Sequence, residues 1–310
     1  MIKELSTPVL FLIFNRPDTT QLVFNEIKKV KPKKLYISAD GPRSDKYNEA
    51  EKKCKQTREI IKQIDWNCEV HTNFSNKNLG CKIGVSSGIN WFFDNEEEGI
   101  ILEDDCIPDQ SFFWFCQELL EYYRNDERIM MISGDNFQNG IKRGDGSYYF
   151  SRSAHIWGWA TWRRAWKYYD VNMNTFSDFL SQNQIKNVFE SKVAQEFWVN
   201  IFKNIAEGKI DTWDYQWVYT VLSQNGLTIL PNTNLITNIG FRDDGTHTRD
   251  KDNKLANLKS CSIREINHPS FVLQNVEADN YTFKDHYSRI LAKKANPLKK
   301  ILKKIILNIR

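Results

Sequence analysis

The 310-residue sequence has six cysteines and five histidines but no CxxC pair and no Cys/His cluster. Zinc and iron–sulfur sites built on such spacings are excluded. The cysteines, at 54, 68, 81, 106, 116 and 261, read as reduced thiols packed as small hydrophobes. No apolar run is long enough to cross a bilayer: "PVLFLIF", from Pro8, is too short, and no signal peptide is read before it. There is no internal repeat and no low-complexity linker. Acids are absent from residues 293–310, which carry seven basic residues. Without that tail the formal charge falls from +4 to −3. A slightly acidic body argues against nucleic acid as a partner.

What is abundant is aromatic: 10 Trp, 12 Tyr and 19 Phe. The first half alternates apolar runs with helical patterns. "PVLFLIF", "KLYISAD" (34–40), "CEVHTN" (68–73), "GIILED" (99–104) and "IMMISG" (129–134) read as strands, the first buried on both faces. Helices are expected from Asp18 to about Val30, over roughly 45–64, over 81–94 despite its glycines, and over 111–123. This rhythm predicts an α/β fold with a mostly parallel central sheet and helices on both faces. The second half is aromatic and irregular around 146–170, then helical at about 176–207 and 214–225. Two short strands, "LTILP" and "NLITNIGF", follow, and then a Gly/Asp/Thr-rich loop, "RDDGTHTRDKDN". The expected organisation is one domain over 1–292, with halves 1–135 and 136–292, and a tail over 293–310.

Open parallel α/β sheets bind ligands outside the carboxyl ends of their strands. Strand one ends in Asn15-Arg16, strand two in Asp40-Gly41, and strand four in Glu103-Asp104-Asp105. Each has a plain structural alternative as a cap or a solvated charge. A shared edge with a cation, an acid and an acid cluster points instead to a ligand. Strand period puts Glu103 and Asp105 on one side and Asp104 on the other. Oxygen-only ligands suit Mg²⁺ or Mn²⁺, and such an ion would hold a diphosphate that carboxylates alone repel. Arg16 adds positive charge, and Asp40 could accept hydrogen bonds from a nucleobase.

An apolar strand running into acid-x-Asp, within a βα-repeated half, resembles the DxD motif of GT-A fold glycosyltransferases. "LEDDCIPDQSFFWF" resembles the Glu-Asp-Asp segment of the N-acetylglucosaminyltransferase I family, with "FNRPDTT", "SADG" and "NLGCKIGVSSGINWFF" in matching order. "WGWATWRRAW", "TWDYQW" and the "GF…GTHT" loop resemble uncharacterised bacterial sugar transferases. The resemblance covers roughly 6–250. It implies a nucleotide-sugar donor, usually uridine diphosphate linked, a divalent metal, and inversion at the anomeric carbon. It makes Asp105 the metal ligand and sets Glu103 and Asp104 near the donor sugar and ribose. Asp40 falls on the uracil and Arg16 near the phosphates. Where the family has a base-contacting histidine, this chain has Ser86.

Inverting transfer needs a carboxylate within reach of the acceptor hydroxyl. "IDTWDYQW" offers Asp211 and Asp214. The family motif is Trp-Asp-Asp-Trp with its second Asp as base, which favours Asp214. The alternative is a helix N-cap, contributing about 1 kcal/mol. His247, in "FRDDGTHTRD", is a candidate metal ligand or phosphate contact in a loop that Gly240 and Gly245 would let close. Trp159, Trp162 and Trp166 follow a helical stripe and read as core, while Trp157 is a candidate acceptor platform. The tail reads as a basic amphipathic helix suited to an anionic membrane surface, or docked on its own domain or on a partner. The expectation is a metal-dependent inverting glycosyltransferase of surface polysaccharide synthesis, with a glycan or lipid-linked glycan acceptor. It would be cytoplasmic and peripheral on the inner face of the cell membrane. A nucleotidyltransferase or an inactive glycan-binding relative is the alternative.

Overall fold

The computed structural model describes residues 5–44, 47–243, 245 and 253–287. His247 and the tail 293–310 lie outside the described residues. In the first half, β1 (Val9–Ile13) leads into α1 (Pro17–Val30), β2 (Lys34–Ala39) into α2 (Tyr47–Glu59), and β3 (Glu69–Phe74) into α3 (Gly80–Asn95). β4 (Glu98–Glu103) passes through a short β5 (Cys106–Pro108) to α4 (Gln110–Tyr122), and β6 (Ile129–Ser133) closes the alternation. The second half contains β7 (Tyr148–Ser151), β8 (Trp159–Trp162), α5 (Arg163–Trp166), α6 (Phe176–Ser181), α7 (Ile185–Val188) and α8 (Lys192–Ala206). It continues with α9 (Asp214–Ser223), β9 (Leu227–Pro231), β10 (Ile236–Asn238) and α10 (Val276–Thr282).

Eight strands form one sheet in the order β3-β2-β1-β4-β8-β6-β9-β7, drawing on both halves of the chain. β1 is wholly buried because parallel β2 and β4 flank it and both its faces are covered. Val9, Phe11 and Ile13 pack with Phe24 of α1 and Phe112 of α4. Leu10 and Leu12 face the other way, toward Phe92 of α3 and Trp217 of α9. The period-2 alternation of a strand thus feeds two cores, one on each side of the sheet.

The aromatic stretch supplies what the periodicity could not assign. β8 lies antiparallel between β4 and β6, and β7 is antiparallel at the edge beside β9. Trp159 and Trp162 therefore bracket a strand, not a helix. They sit on opposite faces, one in each core, and only Trp166 is helical. All three are buried, so the core expectation stands on different geometry. The long helical pattern at 176–207 is three helices. Asn183 breaks it with φ of 51°, and Ser191 restarts it by capping α8 at the Ala194 N–H. All six cysteines are free, with Cys54, Cys106 and Cys116 buried. No helix among the described residues is long and apolar enough to cross a membrane.

Candidate functional site

β1, β2, β4 and β6 all point their carboxyl ends to one edge of the sheet, where antiparallel β8 begins. A cleft of about 730 Å³ opens there, lined among others by Arg16, Asp40, Glu103, Asp105, Asp135 and Asp214. Six of the seven candidate site residues thus converge, Asp104 sharing the same lining; the seventh, His247, lies outside the described residues.

The acid cluster is built by a strand that stops early. β4 ends at Glu103, and Asp104-Asp105 form a turn before β5. Strand alternation therefore does not carry past Glu103, and one guanidinium reaches both aspartates. Arg16 Nη1 donates to Asp105 Oδ2 at 2.8 Å, and Nη2 donates to Asp104 Oδ1. Asp104 Oδ2 accepts the Phe14 N–H at 3.3 Å. Burial works against the Arg16 charge, but the neighbouring Asp104 and Asp105 raise its pKa. Burial first, then repulsion from Asp105 and Asp104, pushes Glu103 up to about 8. Asp104 is pushed up to about 6 by burial, against the pull of Arg16.

Asp40 is fully engaged by the protein. Its carboxylate accepts the N–H groups of Gly41 (2.8 Å), Leu79 (2.8 Å) and Gly80 (3.1 Å), and the Asn78 amide at 2.8 Å. These bonds tie the end of β2 to the start of α3, satisfying orphan donors of that helix. The glycines of α3 have a packing reason: a Cβ at Gly88 would lie 2.6 Å from Ser38 Oγ, so only glycine lets the helix lie this close to β2. Ser86 is buried and donates to the carbonyl of Lys82 in its own helix at 2.6 Å.

Asp214 is the first residue of α9, while the N-cap is Trp213, without a side-chain cap bond. The capping alternative therefore does not describe it. Its Oδ1 accepts the Tyr215 N–H at 2.9 Å and the Thr212 hydroxyl. Its Oδ2 accepts no hydrogen bond from the described residues and is left to the cleft. Asp211 is exposed and does not line the cleft.

Asp135 was not singled out from the sequence, although "ISGDN" repeats the pattern of an apolar strand running into an acid. It follows β6 by two residues and is fully buried. Its Oδ2 accepts the Trp157 backbone N–H at 3.0 Å, while Oδ1 has no partner among the described residues. Burial holds its carboxyl well above the usual range. His155, just before β8, is also buried with Nε2 unpartnered, and its pKa is pushed down to about 3 by burial and then by nearby His286. Unpaired buried polar atoms each cost about 1–3 kcal/mol. Phe137 lies 4.4 Å from the His155 ring and 5.3 Å from Trp157, which also meets Phe241 at 5.5 Å.

Among the described residues no group of three or more His, Cys, Asp or Glu side chains is arranged to hold a metal ion. Asp105 Oδ2 is taken by Arg16, and Oδ1 meets only the Cys106 thiol at 3.4 Å. This donor set fits a hard cation that arrives with phosphate oxygens and borrows one or two carboxylates, not a cage built by protein alone.

No protein-family model matches the chain, and no curated protein matches it either. Solved structures do. Galactosyltransferase LgtC, in complex with donor and acceptor sugar analogs, is 11% identical over 77% of this chain and 91% of its own, with a TM-score of 0.36. UDP-glucose pyrophosphorylase complexed with UDP-glucose is 12% identical over 53% of this chain and 78% of its own, with a TM-score of 0.33. A 4-diphosphocytidyl-2C-methyl-D-erythritol synthase from Anaerococcus prevotii is 10% identical over 56% and 77%, with a TM-score of 0.31. The α/β fold class rests on the chain's own sheet order and strand directions.

Proposed function

We propose that this chain is an inverting glycosyltransferase of GT-A type, moving a sugar from a nucleotide diphosphate, with uridine as the base the resemblance implies, to a glycan or glycolipid. The supporting observation is the meeting in one cleft of the Arg16-clamped acids and a carboxylate oxygen of Asp214 to which no described residue donates a hydrogen bond. In this reading the diphosphate lies along Arg16 and Asp105. A bound Mn²⁺ or Mg²⁺, held by Asp105 and the phosphates, would supply Lewis-acid neutralisation of the leaving group. Asp214 Oδ2 takes the proton of the acceptor hydroxyl as its oxygen bonds to the anomeric carbon. The bond from that carbon to the diphosphate breaks, and the leaving oxygen keeps the electron pair. Held at Oδ1 by Tyr215 and Thr212, the Asp214 carboxylate needs no reorientation for this step.

A nucleotidyltransferase would share acids, metal and nucleotide. It would normally carry a Gly-rich basic phosphate loop after β1, where this chain has "FNRPDTT". The products separate the two readings: nucleoside diphosphate from glycosyl transfer, pyrophosphate from nucleotidyl transfer. The decisive experiment measures donor turnover with and without Mn²⁺ in wild type and Asp105→Ala. Release of nucleoside diphosphate that Mn²⁺ stimulates and the substitution abolishes supports the proposal. Full turnover in strong chelator rejects it. The basic tail is proposed to hold the enzyme on an anionic membrane surface, and deleting 293–310 should then abolish co-sedimentation with anionic vesicles.

A further inference from the structure

We propose that Asp135, His155 and Trp157 form a pyranose-binding subsite where β6 ends and β8 begins. The inference deepens the glycosyltransferase reading and rests on it. β6 lies two positions from β4 in the sheet, so this subsite is about 10 Å along the edge from Glu103. A sugar carried to or received at the acids falls within its reach.

The chemistry selects a neutral polyhydroxyl ligand. Asp135 and His155 are at least nine-tenths buried, both line the cleft, and each has one polar atom with no partner among the described residues. Among the described residues no cation accompanies Asp135, which disfavours phosphate there. Burial pushes the carboxyl toward its protonated form and the imidazole toward its neutral form, which favours uncharged donors and acceptors suited to sugar hydroxyls. Trp157 supplies the apolar counterpart. Its ring is half-buried and fixed edge-on between Phe137 and Phe241, and its backbone N–H is bonded to Asp135. A rigid ring beside two unpaired polar atoms matches a pyranose, which has one C–H face and a rim of hydroxyls.

The ring could belong to the donor or to the acceptor, and the test separates them. Affinities for UDP, UDP-glucose and UDP-N-acetylglucosamine with Mn²⁺ are measured by calorimetry for the full-length wild type, Asp135→Asn and His155→Leu. The same proteins are applied to a printed glycan array. UDP should bind all three alike. A loss of about tenfold confined to the UDP-sugars assigns the subsite to the donor ring, and one confined to array glycans assigns it to the acceptor. His155→Leu should melt at or above the wild-type temperature, because it removes an unpaired buried atom, and Asp135→Asn, which keeps one, should melt close to wild type. A purely structural role predicts the reverse: lower melting with unchanged ligand binding, which overturns the subsite. Should Asp135→Asn fail to fold, the structural role is favoured for Asp135 and His155→Leu decides for the ligand. A wild type that binds no nucleotide-sugar overturns the glycosyltransferase reading itself, and the subsite with it.

Discussion

The ends of β4 and β6 present carboxyl groups to the same edge of one sheet, and the fold treats them in opposite ways. At β4, Asp104 and Asp105 share the guanidinium of Arg16, and Asp104 also accepts a backbone N–H. At β6, Asp135 has one backbone bond, and among the described residues no cation meets it and half of its carboxyl is unpaired. Burial alone thus does not decide the state of an acid; the partner does. The first arrangement keeps charge in place, which can meet a cationic or phosphorylated ligand. The second pushes its acid toward the neutral form, which favours recognition by hydrogen bonding over recognition by charge.

The comparison breaks most sharply at Arg16. Arg16→Ala leaves two buried acids facing Glu103 without their cation and should cost about 3–5 kcal/mol by chemical denaturation at neutral pH. Adding Asp104→Asn should recover part of that loss, whereas adding Asp135→Asn should recover none, since Asp135 shares no charge partner with Arg16. Next in size is Asp214→Asn. It should lower kcat at least about 100-fold with donor affinity unchanged, since general-base transfer is removed and binding is not. An unaltered kcat would move the base elsewhere. A smaller effect is expected of Gly240→Ala. Its Cβ would lie 2.2 Å from Asp105 Oδ2, so the carboxylate must shift away from Arg16, at a cost of about 1–3 kcal/mol. The same denaturation assay checks it, with a raised donor KM as the functional sign.

The sequence makes the β4 end legible and leaves the β6 end obscure for identifiable reasons. β1 and β4 are apolar runs bounded by polar residues, so hydrophobic period places their ends within a residue or two. The Arg16 clamp spans 88 and 89 residues of chain and no local pattern announces it. Asp40 looks like a free strand-end acid, yet its partners at Leu79 and Gly80 lie 39 and 40 residues away. Trp159 and Trp162 suggest helical spacing because i and i+3 also fall on opposite faces of a strand buried on both sides. Asp135 carries a weaker form of the signal at Asp104, because one acid after an apolar run reads equally as a cap or a solvated charge where three in a row do not. The unpaired atoms that distinguish it are a property of packing, invisible in a string of letters.

The finest test reads charge at the β6 end directly. His155 has a folded pKa near 3 against an ordinary value of 6.5. Below pH 6.5 the unfolded chain binds a proton that the folded chain refuses. The stability this histidine confers is therefore complete above about 6.5 and drains away as pH falls toward 3. The slope approaches about 1.4 kcal/mol per pH unit for one group. His286, lowered to about 4, adds a similar slope that survives in a His155→Leu variant. The stability gap between wild type and His155→Leu, measured in urea at about pH 7 and pH 5, should thus move by about 1–2 kcal/mol in favour of the variant on acidification. A gap that stays constant would mean that His155 takes up its proton while folded. The β6 end would then carry charge as the β4 end does, and the contrast between the two would be lost.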